Sequence, residues 1–248
     1  MQHLRTLVGR FLPSPVRAAV RRVRMKRVHA RNARRSAGEV FAEIYREKMW
    51  VQPGDGERFS SGSGSFGPVA EAYKELVVGL IKEHALGSVV DVGCGDFRIG
   101  REIAKHVDTY TGVDVVPDLI QYHQENNSGP GVTFLCKDAA TEALPEAELC
   151  LVRQVLQHLS NKQIAGVLEN ARRYRYVLVT EHYPVQSHVF VPNKDKVHGA
   201  DIRAYVNSAV VLEAPPFNWP EGKLVLSMPA SDAGEIRTYL YERVAAQP

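Results

Sequence analysis

Five short apolar runs, set between helical stretches, constrain this chain more than any other feature. Ser88–Val92, Tyr110–Val113, Val132–Cys136, Leu149–Val152 and Tyr176–Thr180 are each four or five residues long. Between them, Ile99–His106 and Pro117–Glu125 carry the pattern of helices, the second with proline in its first turn. Ser160 with Gln163 three residues on is a capping-box pattern, and opens a helix to about Arg172. Such alternation predicts a parallel sheet buried on both faces by helices. Lys223–Ser227 and Ile236–Arg243 read as two further strands, a final antiparallel pair. The expected fold class is α/β, a doubly wound, mostly parallel seven-stranded sheet with an antiparallel C-terminal strand.

Charge divides the chain unevenly. Residues 1–38 hold 11 of the 31 Lys/Arg and no acid, leaving 20 basic residues against all 28 acids, a formal −8 beyond the arm. Leu4, Leu7, Val8, Phe11 and Leu12 lie on one helical face, and helical character resumes after Pro13 and Pro15. Residues 1–50 are therefore expected to form a basic amphipathic helical extension. It would lie on an anionic membrane surface, pack as a plain tail or helix, or bind nucleic acid, the last being least favoured. Residues 51–68 form a Gly/Ser-rich loop, either a linker or a cover over a ligand. Residues 69–248 are the catalytic-size domain, opening with a helix over Val69–Ala85 that Gly87 is expected to stop. No run approaches 20 apolar residues. Cys94, Cys136 and Cys150 have no metal-knuckle spacing and read as reduced thiols, so the protein is expected in the cytoplasm, at most peripheral to the inner face of the membrane.

The first strand runs into "VVDVGCGD". Gly93 and Gly95 let the main chain approach a ligand at the carboxyl end of a strand, where doubly wound sheets bind. A dinucleotide fingerprint requires a third glycine where this chain has Arg98; Gly100 comes two residues late. Asp91 would oppose a pyrophosphate but suits an ammonium and a nearby sulfonium. Asp114, 23 residues after Asp91, ends the second strand where an acid accepts ribose hydroxyls, and Asp138 ends the third, where an acid accepts an adenine amino group. Three acids at three successive strand ends, with glycines at the first, point to S-adenosylmethionine.

Residues from about 66 to 181 resemble a class I S-adenosylmethionine-dependent methyltransferase, with the Rossmann-like sheet of that family. The resemblance implies that Asp91, Gly93 and Gly95 hold the methionine end, Asp114 the ribose and Asp138 the adenine, with Cys94, Val115, Ala139 and Arg153 as adjoining cofactor contacts. The family often has a third glycine where this chain has Phe97. "SSGSGSFGPVAEAYKELV", Ser60 to Val77, is similar to bacterial methyltransferases associated with polysaccharide or glycolipid biosynthesis. That implies Ser63, Gly64 and Ser65 over the methionine end.

After the fourth strand, "LVRQVLQHLSN" has Arg153 and Gln154 where nucleobase amino-methyltransferases carry an Asn/Asp-Pro-Pro-aromatic box. "APPFNW" at 214–219 comes too late to be that box and reads as a pocket-shaping loop. The "VLQHL" pattern is similar to that of small-molecule and lipid-type methyltransferases, which implies His158 near the transferred methyl, as a general base, or else as a residue that orients the loop or binds cofactor. Thr180 to Arg203 holds Glu181, His182, His188, Asp195, His198, Asp201 and Arg203. Three readings compete there. It is an acceptor pocket, with His182 or His198 as base and His198, Asp201 and Arg203 binding the substrate; or a divalent-metal site; or a polar lid. The histidine spacing matches no compact zinc motif, and no metal is expected. The expected activity is methyl transfer to a small-molecule, sugar or glycolipid acceptor, most simply a hydroxyl. The alternatives are an RNA methyltransferase using the basic arm and a non-catalytic cofactor-binding or scaffold protein on the same fold.

Overall fold

The computed structural model describes residues 23, 25–51, 58–185, 189–230 and 234–243. Most of the basic arm, residues 52–57 of the Gly/Ser-rich stretch and His188 lie outside the described residues.

Seven strands form one sheet: β1 (Ser88–Val92), β2 (Thr109–Asp114), β3 (Val132–Cys136), β4 (Leu149–Arg153), β5 (Tyr176–Tyr183), β6 (Lys223–Pro229) and β7 (Glu235–Glu242). Their order is β3-β2-β1-β4-β5-β7-β6. β1 to β5 are parallel, and β7 inserts antiparallel between β5 and β6. The order reverses at β1, which pairs β2 on one side and β4 on the other, so the binding crevice opens at its carboxyl end. Successive residues of β1 face opposite sides. Val89 packs with Tyr73, Val77 and Ile81 of α2 (Pro68–His84) and Ile103 of α3 (Arg98–Ile103). Val90 and Val92 pack with α1 (Ala37–Arg46) and with Ile164, Val167 and Leu168 of α5 (Asn161–Ala171). α4 (Pro117–Asn126) links β2 to β3.

The capping box at Ser160 forms as its spacing implies, with Gln163 reciprocating. A second one starts α1: Ser36 caps it and Glu39 reaches back. Burial of Ala37, Val40, Phe41 and Ile44 draws this helix into the core. The stretch from 37 to 50 therefore belongs with the body, not with an appended arm. Gly87 does not stop α2. Ala85 does, in left-handed conformation (φ 50°), with Leu86 N–H donating to Ile81 O at 3.0 Å. Gly87 lies instead in a tight spot, where a Cβ would stand 3.0 Å from Asp108 Oδ2. β5 runs on past Thr180 because β7 pairs along its whole length, from Tyr176↔Glu242 to Tyr183↔Glu235. Glu181 and His182 are thus buried strand residues, not loop residues. No helix among the described residues is long and apolar enough to cross a membrane.

Candidate active site

The turn after β1 is built by its two glycines. Gly93 (φ 72°) and Gly95 (φ 52°) are left-handed, and a Cβ on Gly95 would stand 2.2 Å from Ser61 Oγ. That contact brings the Gly/Ser segment over the turn. Asp96 fastens it: its carboxylate accepts from Ser61 N–H at 3.0 Å and Ser65 Oγ at 2.8 Å, and its own N–H donates to Ser61 Oγ at 2.8 Å. Tyr45 of α1 reaches Ser61 Oγ at 3.2 Å. Ser63, Gly64 and Ser65 form a short 3-10 turn on the cavity wall, and Arg153 at the end of β4 donates to Gly64 O. Asp96, Ser61 and Tyr45 have no distinguishing signal in the sequence beyond the acid's place directly after the glycine turn.

Three acids stand at the strand ends. Asp91 is buried and accepts from Tyr110 Oη at 2.5 Å. Asp114 is buried and accepts from the amides of Gly95 at 3.3 Å and Val116 at 3.1 Å. Burial pushes both carboxyls up to about 6, against the pull of those hydrogen bonds. Asp138 is partly exposed and accepts from Ala140 N–H at 2.9 Å. All three line one cavity of about 1090 Å³, as do Gly93, Cys94, Gly95, Val115, Ala139 and Arg153. That volume is at the upper end of the range for ligand pockets. Phe97 does not intrude. Left-handed (φ 61°) and buried, it turns its ring into the core against Tyr110, His123 and Phe134.

His158 and His182 line the same cavity. His158 ends a short 3-10 turn, Leu156–His158, after β4. Its Nδ1 lies 3.2 Å from Gly199 O. A carbonyl only accepts, so Nδ1 carries the proton and Nε2 the lone pair. Trp50 lies 5.2 Å and Phe41 6.4 Å from its ring, centroid to centroid. Burial first, then the charge of Lys196, lowers its pKa to about 4, so the ring is neutral near pH 7. His182 comes from β5 and is buried.

The expected substrate-binding trio is placed elsewhere. His198, Asp201 and Arg203 are absent from the cavity wall; Ala200, Ile202 and Tyr205 from the same segment form it. Arg203 is buried, and its guanidinium donates to Leu159 O at 2.7 Å, Asn161 Oδ1 at 3.0 Å and Lys194 O. It clamps this segment to the loop before α5, so it has no reach to an acidic substrate group. Asp201 lies 3.3 Å from Lys196 Nζ and 3.4 Å from His29 Nε2. His198 is buried, and Asn32 Nδ2 donates to its carbonyl at 3.1 Å. Among the described residues, no three His, Cys, Asp or Glu side chains gather as metal ligands.

The site fits S-adenosylmethionine by its donor set. Two buried carboxylates await a cation and hydroxyl donors, and at the glycine turn they would repel a pyrophosphate. Residues 89–175 match the family described as Methyltransferase domain. No curated protein matches the sequence. Among solved structures, the fold is similar to N-methyltransferase NodS from Bradyrhizobium japonicum WM9 in complex with S-adenosyl-L-homocysteine. The two are 15% identical over 80% of this chain and 97% of that one, TM-score 0.54. It is also similar to magnesium protoporphyrin IX methyltransferase from Synechocystis PCC 6803 with bound S-adenosylmethionine, 14% identical over 85% of this chain and 98% of that one, TM-score 0.53. Human N-acetylserotonin methyltransferase in complex with S-adenosylmethionine is 15% identical over 85% of this chain and 61% of that one, TM-score 0.51. Residues 89–175 thus match a methyltransferase domain, and the seven-stranded sheet around them has the Rossmann-like fold of S-adenosylmethionine-dependent methyltransferases.

Proposed function

We propose that this enzyme methylates a hydroxyl group of a neutral small-molecule, sugar or glycolipid acceptor. One observation carries the reading: His158 lines the cavity as a neutral imidazole whose Nδ1–H is held by Gly199 O, which leaves Nε2 to take a proton. The cofactor supplies an electrophilic methyl group when bound. The chain's residues would hold the acceptor beside it and keep water out. At the acceptor, His158 Nε2 would take the proton that the hydroxyl gives up on methylation. His182 is the second candidate for that proton.

The cavity's charges favour a neutral acceptor. Its carboxylates are Asp91, Asp96, Asp114 and Asp138, all at the glycine turn or strand ends, and its remaining charged side chains are Lys137 and Arg153. Phe41, Trp50, Ile202, Met228 and Ile236 supply apolar wall to the same cavity. Among the described residues an acidic acceptor finds no Lys or Arg there beyond those two. The association with polysaccharide or glycolipid assembly rests on the Ser60–Val77 resemblance, and the contact of the basic arm with an anionic membrane on its charge.

The test is incubation with trideuteromethyl-labelled S-adenosylmethionine and a panel of alkyl glycosides, glycolipids, free sugars, phenols, amines and RNA. Labelled methyl ethers, lost in His158→Ala, are expected. Label confined to amines or RNA contradicts the reading.

A further inference from the structure

Glu181 is a buried carboxylate outside the cavity wall. It sits on β5, the strand next to β4. Its two oxygens accept from two consecutive amides, Leu156 N–H at 2.8 Å and Gln157 N–H at 3.1 Å. Those amides open the 3-10 turn whose last residue is His158.

The turn needs such an anchor. β4 ends at Arg153, and Gln154 then takes a left-handed conformation (φ 55°), uncommon for a residue with a side chain. The Gln154 amide donates to Thr180 O at 2.6 Å. Thus Thr180 by its backbone and Glu181 by its side chain hold both halves of the bend. His158 follows directly, its amide on Val155 O at 3.0 Å and its ring on Gly199 O. A short 3-10 turn has few internal hydrogen bonds, so the two from Glu181 are a large share of what fixes it.

We propose that Glu181 is a positioning residue for methyl transfer: its carboxylate sets the 3-10 turn so that His158 presents one tautomer to the cavity. This rests on the reading of His158 as proton acceptor. The chemistry calls for a carboxylate at 181. Two N–H donors aimed at one side chain need two acceptor oxygens. Glutamine offers one oxygen and sets its NH₂ against the other amide. Burial pushes the Glu181 carboxyl up to about 8, against the pull of the two amides and of Arg203; the two N–H donors aimed at its two oxygens are the geometry of the ionised form.

The test uses the full chain and needs no identified acceptor. Ring-nitrogen NMR of uniformly ¹⁵N-labelled protein reports each histidine's tautomer, with the His158 signal assigned by its loss in His158→Gln. S-adenosyl-L-homocysteine affinity is measured on the same samples by calorimetry. In wild type, His158 is expected as a single neutral Nδ1–H tautomer. In Glu181→Gln its signals should shift to a mixture of tautomers, while the affinity stays within about threefold of wild type, because Asp91 and Asp114 are untouched. An unmoved His158 tautomer in folded Glu181→Gln overturns the proposal. If that variant does not fold, Glu181→Asp keeps the charge and shortens the reach: a displaced signal supports the proposal and an unmoved one overturns it. Failure of the proton-acceptor reading is separate, shown by full turnover of His158→Ala on a methylated acceptor.

Discussion

Tyr110 donates to Asp91 across 2.5 Å, and it is Gly100 that leaves room for the ring to do so. A Cβ at position 100 would stand 2.1 Å from Tyr110 Oη and 2.8 Å from Phe97. The glycine that arrives too late for a dinucleotide fingerprint therefore serves the acid at the end of β1. Gly100→Ala must push the tyrosine off. It should cost about 1–3 kcal/mol in thermal or urea unfolding. It should also weaken S-adenosyl-L-homocysteine binding by about tenfold as Asp91 loses its donor. Tyr110→Phe should reproduce the binding loss with less effect on stability. Unchanged affinity in both would mean that Asp91 does not touch the ligand.

Acidification should weaken cofactor binding. Asp91 and Asp114 protonate at about 6 in the folded protein, well above the usual carboxylate range. A ligand that brings an ammonium and hydroxyl donors prefers them ionised, so binding near pH 6 should release protons. Calorimetry in buffers of different ionisation enthalpy reads that release directly. The same shifts act oppositely on the ligand-free fold. A raised carboxyl pKa contributes stability that is present below 3.8 and lost as pH rises through about 6. Asp114→Asn loses one of the two amide acceptors at any pH, so its deficit against wild type should be smaller at pH 8 than at pH 5. The reverse order would contradict the assigned burial.

Asp96 should act as the latch of the segment above the glycine turn. Asp96→Ala removes the acceptor of Ser61 N–H and Ser65 Oγ. Limited proteolysis should then cut faster within residues 58–67, and S-adenosyl-L-homocysteine affinity should fall by roughly 1–3 kcal/mol. A cleavage pattern equal to wild type would deny the latch.

The fold was legible because its strands are short, apolar and regularly spaced, and the cofactor acids because each ends one of them. Residues held by distant partners were not legible. Glu181 and His182 read as loop because polar residues seldom continue a buried strand, and only the ladder with β7 keeps them in one. Phe41, Tyr45 and Trp50 looked like part of a basic arm, since eleven cations precede them; burial of one face of α1 puts them on the cavity wall instead. Arg203 looked like a ligand for an acid. Its bonds to Leu159 O and Asn161 Oδ1 join residues more than forty positions apart, and no local pattern encodes that.

Arg203 should matter to the fold and not to cofactor affinity. Arg203→Met keeps much of the volume but abandons three acceptors. Unfolding should become easier by about 2–4 kcal/mol, while S-adenosyl-L-homocysteine affinity stays within about threefold. A stable variant with lost turnover would return Arg203 to the substrate.

The central claim is that the cavity holds S-adenosylmethionine with Asp114 at its ribose. Calorimetric titration of wild type and Asp114→Ala with S-adenosylmethionine and S-adenosyl-L-homocysteine tests it most directly. Binding to wild type that falls by about a hundredfold or more in a folded Asp114→Ala is the predicted result. Wild type that binds neither ligand, or a variant that binds both as tightly, would contradict it.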